Sequence, residues 1–294
     1  MTELPGKSAH LSVNGVRLHF RRQGSGPALI LLHGWPEFSR IWRHNIAPLA
    51  ERFDVVAPDL RGFGDSDKPE GGAANYALDL MAEDIRALAD ALSFGRFGLV
   101  AHDVGAYVAQ EVARRWPERL TGLFFFDCPY PGIGRRWIEP AQIKEIWYQT
   151  FNQQPWAAAL VGSSRQACAI YFRHFLDHWA DQPGRFAAED LEAWVDNFLK
   201  PGNLQGGFNW YVNAAPARLK MIQDGAPALA KISVPTRVRW GTGDKVLKVA
   251  WADRLGDYFA DVDFAPFPGA GHFAMYERPD QANRLIAEFF AGRS

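Results

Sequence analysis

Apolar and polar residues alternate through HLSVNGVRLHFRRQG on either side of Asn14-Gly15, a dipeptide suited to a tight primed turn, so the segment predicts an antiparallel hairpin. ALILLHG follows as a short continuous apolar run, which fits a strand covered on both faces, as in a parallel sheet. SRIWRHNIAPLAERF then carries apolar residues at helical spacing, and DVVAPD returns to strand character. The same alternation continues with LDLMAEDIRALADALS helical, FGLVAH strand, GAYVAQEVARRWPERL helical and LTGLFFFD strand. Strand and helix in strict succession imply right-handed βαβ units and a mostly parallel sheet.

The rhythm breaks after Cys128. From about Pro131 to Tyr211 the patterns AQIKEIWYQTF, SRQACAIYFRHFLDHWA and AEDLEAWVDNFLK are helical, with no obvious strand among them. Strands resume with PTRVRWG and DVDFAPF, separated by the helix-like KVAWADRLGDYF and followed by the helical DQANRLIAEFFAG. Residues 1–130 and 213–294 are therefore expected to form one α/β core, and residues 131–212 a helical lid inserted into it. The GNLQGG stretch, Gly202 to Gly207, is expected to be a flexible turn within the lid.

Composition narrows the function classes. With 32 basic against 33 acidic residues and a formal charge of −1, the chain carries no global field for nucleic acid or an anionic membrane. No apolar run is long enough to span a bilayer, and the amino-terminal string MTELPGKSAHLSVNG lacks the basic-then-apolar order of a secretory leader. The expectation is a cytoplasmic protein that binds neither membrane nor nucleic acid. Cys128 and Cys168 form no CxxC pair, which argues against a disulfide scaffold and a structural zinc site. The 11 Trp and 21 Phe are mostly core, with some suited to lining a pocket for an apolar ligand.

The most informative string is LVAHDVGAYVA, where an apolar strand runs through Ala101-His102-Asp103-Val104-Gly105 into a helix. A nucleophile elbow needs small residues two before and two after its centre, because larger side chains would collide at so sharp a turn. Ala101 and Gly105 meet that need, and the central residue is Asp103, so the attacking atom would be a carboxylate oxygen and its product an ester. An Asp that merely caps the following helix is the plainer alternative. Upstream, His33-Gly34-Trp35-Pro36 lies just beyond a strand, where the Trp35 and Val104 backbone N–H groups could form an oxyanion hole. Downstream, His272 sits on the Gly-rich loop of FPGAGHFAMYERP, at the chain position expected of a base. The acid that orients it has two candidates: Asp244 in WGTGDKVL, which is preferred, and Asp127 in LFFFDCPYPG. His33 and His102 are read as structural support.

Taken together, HGWPE, DLRGFGDSDKP, HDVGA, FNWY, WGTGD and GHF resemble the epoxide hydrolase branch of the α/β-hydrolase superfamily, over nearly the whole chain. The resemblance implies an α/β-hydrolase fold: a mostly parallel eight-stranded sheet flanked by helices, with a helical cap after the sixth strand. It also implies two lid tyrosines that hydrogen-bond the epoxide oxygen. Tyr211 in GGFNWYVN matches the second, and Tyr148 in WYQTFNQQP the first, with Trp147 as the neighbour that could displace it. A phenol near pKa 10 suits the task, since it stays protonated at neutral pH and can donate to a departing alkoxide. Trp35, Tyr148, Gln149 and Tyr211 are the expected substrate contacts.

The same branch contains haloacetate and haloalkane dehalogenases, which use the same Asp and His but release a halide. Fluoroacetate dehalogenases carry arginines just after the nucleophile to hold the substrate carboxylate, and a His-Trp pair in the lid. Here Val104 and Tyr107 follow Asp103, and Tyr148-Gln149 stand in the lid, so a carboxylate would meet no obvious cation. Haloalkane dehalogenases place a Trp beside the nucleophile, where this chain has Val104. Serine esterase chemistry is disfavoured because Asp attacking an ester would form an anhydride. A non-catalytic binding protein on this scaffold is the rival from another class, yet such proteins usually lose a triad member and here every role has a candidate. The expected partners are an apolar small-molecule electrophile and water, with no metal or organic cofactor; a homodimer is compatible with the chain, though nothing in the string specifies one.

Overall fold

The computed structural model describes residues 4–293. Its sheet has eight strands: β1 (Lys7–Val13), β2 (Val16–Gln23), β3 (Ala28–Leu32), β4 (Asp54–Pro58), β5 (Phe97–His102), β6 (Leu120–Phe126), β7 (Thr236–Gly241) and β8 (Val262–Phe267). They lie in the order β1-β2-β4-β3-β5-β6-β7-β8. β1 and β2 form the hairpin predicted at Asn14-Gly15, with Val13 opposite Val16, and from β3 to β8 every pairing is parallel. β4, β5 and β6 are buried along their whole length, as continuous apolar runs in a sheet covered on both faces must be. This is the α/β-hydrolase fold.

The strand order positions the site. The chain leaves β3 for β4 on one side and returns to β5 on the other, so the carboxyl ends of β3 and β5 flank a crevice where the order reverses. Helices α1 (Leu78–Ala91) and α2 (Val104–Arg115) follow β4 and β5, in the stretches whose periodicity predicts them. Two predicted helices are less regular: SRIWRHNIAPLAERF folds only as short turns at Ser39–Trp42 and Ile46–Leu49, and KVAWADRLGDYF as Val249–Arg254 and Leu255–Tyr258.

Between β6 and β7 the described chain is helical, with α3 (Trp147–Phe151), α4 (Arg165–His178), α5 (Ala188–Phe198) and α6 (Asn203–Asp224) the elements that matter to the site. The GNLQGG stretch is not a flexible turn. Gly202 alone is left-handed, at φ 82°, and Asn203 onward is helix. Gly206 serves close packing instead, since a methyl there would collide with the Gly62 carbonyl oxygen. Residues 212 and 213 lie inside α6, so the junction expected there falls within an unbroken helix. This helical layer is tied to the sheet by Arg40, whose Nε is 2.7 Å from buried Asp190, and by Trp194, whose indole N–H donates to the Pro36 carbonyl at 2.7 Å. No described helix is long and apolar enough to cross a membrane. α7 (Pro279–Phe290) closes the fold.

Candidate active site

Asp103 stands at the turn between β5 and α2 with φ 46° and ψ −116°, a left-handed backbone that a non-glycine residue adopts only where its surroundings impose it. Those surroundings are the small residues the motif requires. A methyl on Gly105 would sit 2.6 Å from the Leu32 and His33 carbonyl oxygens, and one on Gly34 would sit 2.5 Å from the Asp103 Cβ. β3 and β5 can therefore bring their loops together only with glycine at both positions, and the Trp35 N–H reaches the Asp103 Oδ1 at 2.9 Å.

The loop carrying Trp35 is fixed by groups that sequence reading left as support or missed. The Leu60 N–H donates to His33 Nε2 at 3.0 Å, so the His33 proton is on Nδ1, which donates to the Gly34 carbonyl at 2.8 Å. Burial lowers the His33 pKa, which keeps that neutral arrangement. Glu37, fully buried, accepts from the Gly34 N–H at 2.6 Å and pairs with His102 Nδ1 at 3.0 Å. Burial would raise the Glu37 pKa, and the charge and hydrogen bond of His102 outweigh it and hold the carboxyl below its usual value. The only signal for Glu37 in the string was its place in HGWPE.

Between the two acid candidates the structure separates positions cleanly. His272 Nδ1 lies 2.8 Å from Asp244 Oδ2, and Asp244 Oδ1 accepts the Val246 and Leu247 N–H groups, each at 2.8 Å. Asp127 does not reach the imidazole; its Oδ1 accepts the Gly241 N–H at 2.8 Å, and it sits next to Asp244. Burial, reinforced by the Asp244 charge, pushes the Asp127 carboxyl well above the carboxylate range. For His272, burial alone would lower the pKa, but the charge and hydrogen bond of Asp244, with Asp103 and Glu37 behind them, raise it from 6.5 to about 9. Its Nε2 has no partner among the described residues.

The helical layer supplies the opposite wall. Tyr148 on α3 stacks on Trp35 with ring centroids 4.9 Å apart and planes 4° from parallel, while Tyr211 on α6 meets the Trp35 ring edge-on at 5.3 Å and the Tyr148 ring at 5.5 Å. Gln149 donates to the Tyr148 hydroxyl at 3.1 Å. Trp147, the rival for the Tyr148 position, is instead 42% exposed. Burial raises the pKa of both phenols; Asp103 adds to it at Tyr148, and Tyr148 and then Asp103 add to it at Tyr211. A narrow cavity with only about 10 Å³ of free space is lined jointly by Asp103, Val104, Tyr148, Gln149 and Tyr211.

One wall residue was missed. Arg218 lines the same cavity, so the expectation that a carboxylate would find no cation there is corrected. It stands seven residues, two helical turns, beyond Tyr211 on α6, and that spacing was the signal available in the string.

The chain's residues 27–279 match the family described as alpha/beta hydrolase fold. It is 33% identical over 290 residues to a soluble epoxide hydrolase of Corynebacterium sp. (strain C12), covering 95% of each chain. It is 31% identical over 278 residues to a fluoroacetate dehalogenase of Burkholderia sp., covering 91% of this chain and 88% of the relative. An epoxide hydrolase solved without ligand superposes with a TM-score of 0.86 at 29% identity, over 97% of this chain and 99% of that one.

Proposed function

Because this chain is a hydrolase belonging to the α/β-hydrolase fold family, we propose that it opens epoxides to vicinal diols through an ester on Asp103. The observation that carries this reading is one small cavity in which the elbow carboxylate faces two buried, protonated phenols. Asp103 attacks a ring carbon and the C–O bond breaks, while Tyr148 and Tyr211 donate hydrogen bonds and a proton to the departing oxygen. Both hydroxyls are held above the ordinary phenol range, so they remain proton donors at neutral pH.

His272 and Asp244 serve the second half. In the resting enzyme the imidazole is charged, balanced by Asp244, Asp103 and Glu37. Alkylation turns Asp103 into a neutral ester and removes one of those anions, so the imidazole pKa falls and its Nε2 proton passes to the phenolate left by protonation of the epoxide oxygen. The neutral Nε2 then takes a proton from water as it attacks the ester carbonyl, the ester C–O bond breaks, and the diol leaves with Asp103 restored as a carboxylate. The carbonyl oxygen, anionic in the tetrahedral intermediate, is met by the Trp35 N–H, already on Asp103 Oδ1, and by the Val104 N–H. Residues between β6 and β7 act as the cap over this chemistry, and no cofactor enters it.

A second reading keeps the nucleophile and changes the leaving group. The Trp35 indole N–H is buried without a partner among the described residues and belongs to the residue whose backbone binds Asp103, which suits a departing halide. Similarity to the fluoroacetate dehalogenase supports it too. Both readings are tested by a single turnover in ¹⁸O-water with excess enzyme over styrene oxide, glycidol and chloroacetate, following diol, halide and label. Label entering Asp103 with diol formed supports the first; label entering Asp103 with halide alone supports the second. Label passing directly into product with Asp103 unmarked overturns the covalent mechanism.

A further inference from the structure

Arg218 is a half-buried cation that touches the Trp137 ring and the Tyr107 hydroxyl, and no carboxylate stands within ion-pair distance of it among the described residues. Its guanidinium lies 4.5 Å from the centroid of the buried Trp137 ring, a cation–π contact that fixes the group without neutralising it. From there its field reaches the cavity: it counteracts the burial that raises the phenols of Tyr107, Tyr148 and Tyr211. Arg218, Tyr107 and Trp210 also form the shared wall between the cavity holding Asp103 and an outer apolar groove lined by Leu78, Met221 and Pro227. The groove residues Trp210, Ala214, Ala217 and Met221 follow one stripe of α6 at steps of three and four, whereas Tyr211 and Arg218 share the neighbouring stripe.

The partly buried guanidinium, held by the Trp137 ring and the Tyr107 hydroxyl, has no anion against it, and a planar carboxylate would supply two parallel charge-assisted hydrogen bonds. We propose that Arg218 is the anion-recognition residue of this site, and that its substrates are small epoxides bearing a carboxylate near the ring. This rests on the epoxide-opening reading and refines the apolar electrophile expected from the aromatic lid. The carboxylate lies on Arg218 at the junction of cavity and groove, and the ring projects inward to Asp103 and the phenols. Arg218 thus fixes which substrates are oriented for attack, and it takes no part in the bond changes.

The test compares 3,4-epoxybutanoate with its uncharged amide in the wild type, Arg218→Gln and Arg218→Lys. The acid-to-amide ratio of kcat/KM is expected to fall by at least about tenfold in Arg218→Gln, mainly through KM, and to recover in part in Arg218→Lys. Equal losses on acid and amide, or none on either, would overturn the assignment. A second measurement is independent of turnover: calorimetric binding of phenylacetate and phenylacetamide. Tighter binding of the acid that disappears in Arg218→Gln supports the anion site even if no epoxide is opened, a result that would sink only the epoxide reading. Indifference of the wild type to the charge of the ligand would overturn the anion site even if both epoxides are opened.

Discussion

The two walls of the cavity are built by different physics. On the sheet side, Asp103, Trp35 and Asp244 sit within a few residues of strand ends, where backbone sterics and short hydrogen bonds leave each side chain little choice. Glycines at 34 and 105 let the loops close, and the Asp103 backbone at φ 46° is held by that closure. On the helical side, Tyr148, Tyr211 and Arg218 sit in ordinary helix, and what places them is aromatic packing around Trp35 and Trp137. The sheet wall is thus specified locally and suits chemistry that must be repeated without error. The helical wall depends on how whole helices dock, so substrate preference can change there without disturbing Asp103, the proposed nucleophile.

The sharpest way to break this division is at Asp103, the proposed nucleophile. Asp103→Asn keeps the shape of the elbow and removes the attacking charge, so turnover of a responsive substrate is expected to fall roughly 10³- to 10⁵-fold. Asp244→Asn is expected to cost somewhat less, about 10³- to 10⁴-fold, because it disturbs the imidazole tautomer and not the bond-forming atom. Early-time rates must be read in both cases, since slow deamidation would restore the carboxylate. A loss of less than tenfold for Asp103→Asn would show that the chemistry lies elsewhere.

Next in size is the seam between the walls. Gly206→Ala drives a methyl into the Gly62 carbonyl, with backbone on both sides and no flexible side chain to yield, and about 2–4 kcal/mol of stability should be lost. Thermal denaturation reads it directly. A variant as stable as the wild type would show that α6 can slide on the sheet, and would weaken the claim that its docking positions Tyr211 and Arg218.

Tyr211→Phe sharpens the comparison on the helical wall alone. One of two hydrogen-bond donors to the alkoxide is lost, and pre-steady-state alkylation by an epoxide is expected to slow by about 10- to 100-fold, while any halide displacement is spared. The opposite pattern would favour the dehalogenase reading.

What the string disclosed follows the same division. Asp103, His272 and the strand-end carboxylates were legible because the elbow and the Gly-rich loop impose residue types at fixed short spacings. The central strands were legible because runs such as FGLVAH and DVVAPD are buried on both faces, and β1 and β2 because polar and apolar residues alternate on either side of Asn14-Gly15. Tyr148 and Tyr211 entered only through the family resemblance, since a tyrosine on a helix reads as packing. GNLQGG was misread because glycines that serve close approach to Gly62 look, in a string, like glycines that serve a turn. Arg218 escaped because its relation to Tyr211 crosses Pro216, which invites ending the helix; the helix continues regardless, and the carbonyl one turn earlier belongs to Val212, whose side chain is partly exposed.

The smallest effect is expected at Asp127, and it separates the two strand-end acids. Burial and the neighbouring Asp244 raise the Asp127 pKa well above 3.8, so at neutral pH its carboxyl is held towards the protonated form, which an asparagine amide imitates in size and in offering a donor. Asp127→Asn should therefore cost less than about tenfold in turnover, against the far larger loss expected for Asp244→Asn. The linkage has a definite sign. A carboxyl whose folded pKa lies above its unfolded value binds more protons folded than unfolded, so its contribution is complete below about pH 3.8 and is lost as pH rises through the folded pKa. Replacing it with asparagine removes that decline, and the stability difference between variant and wild type should shift in favour of the variant as pH is raised from 4. Denaturation midpoints measured in parallel across that range test it. A shift favouring the wild type, together with a catalytic loss matching that of Asp244→Asn, would mean that Asp127 is ionised at neutral pH and shares the orientation of His272.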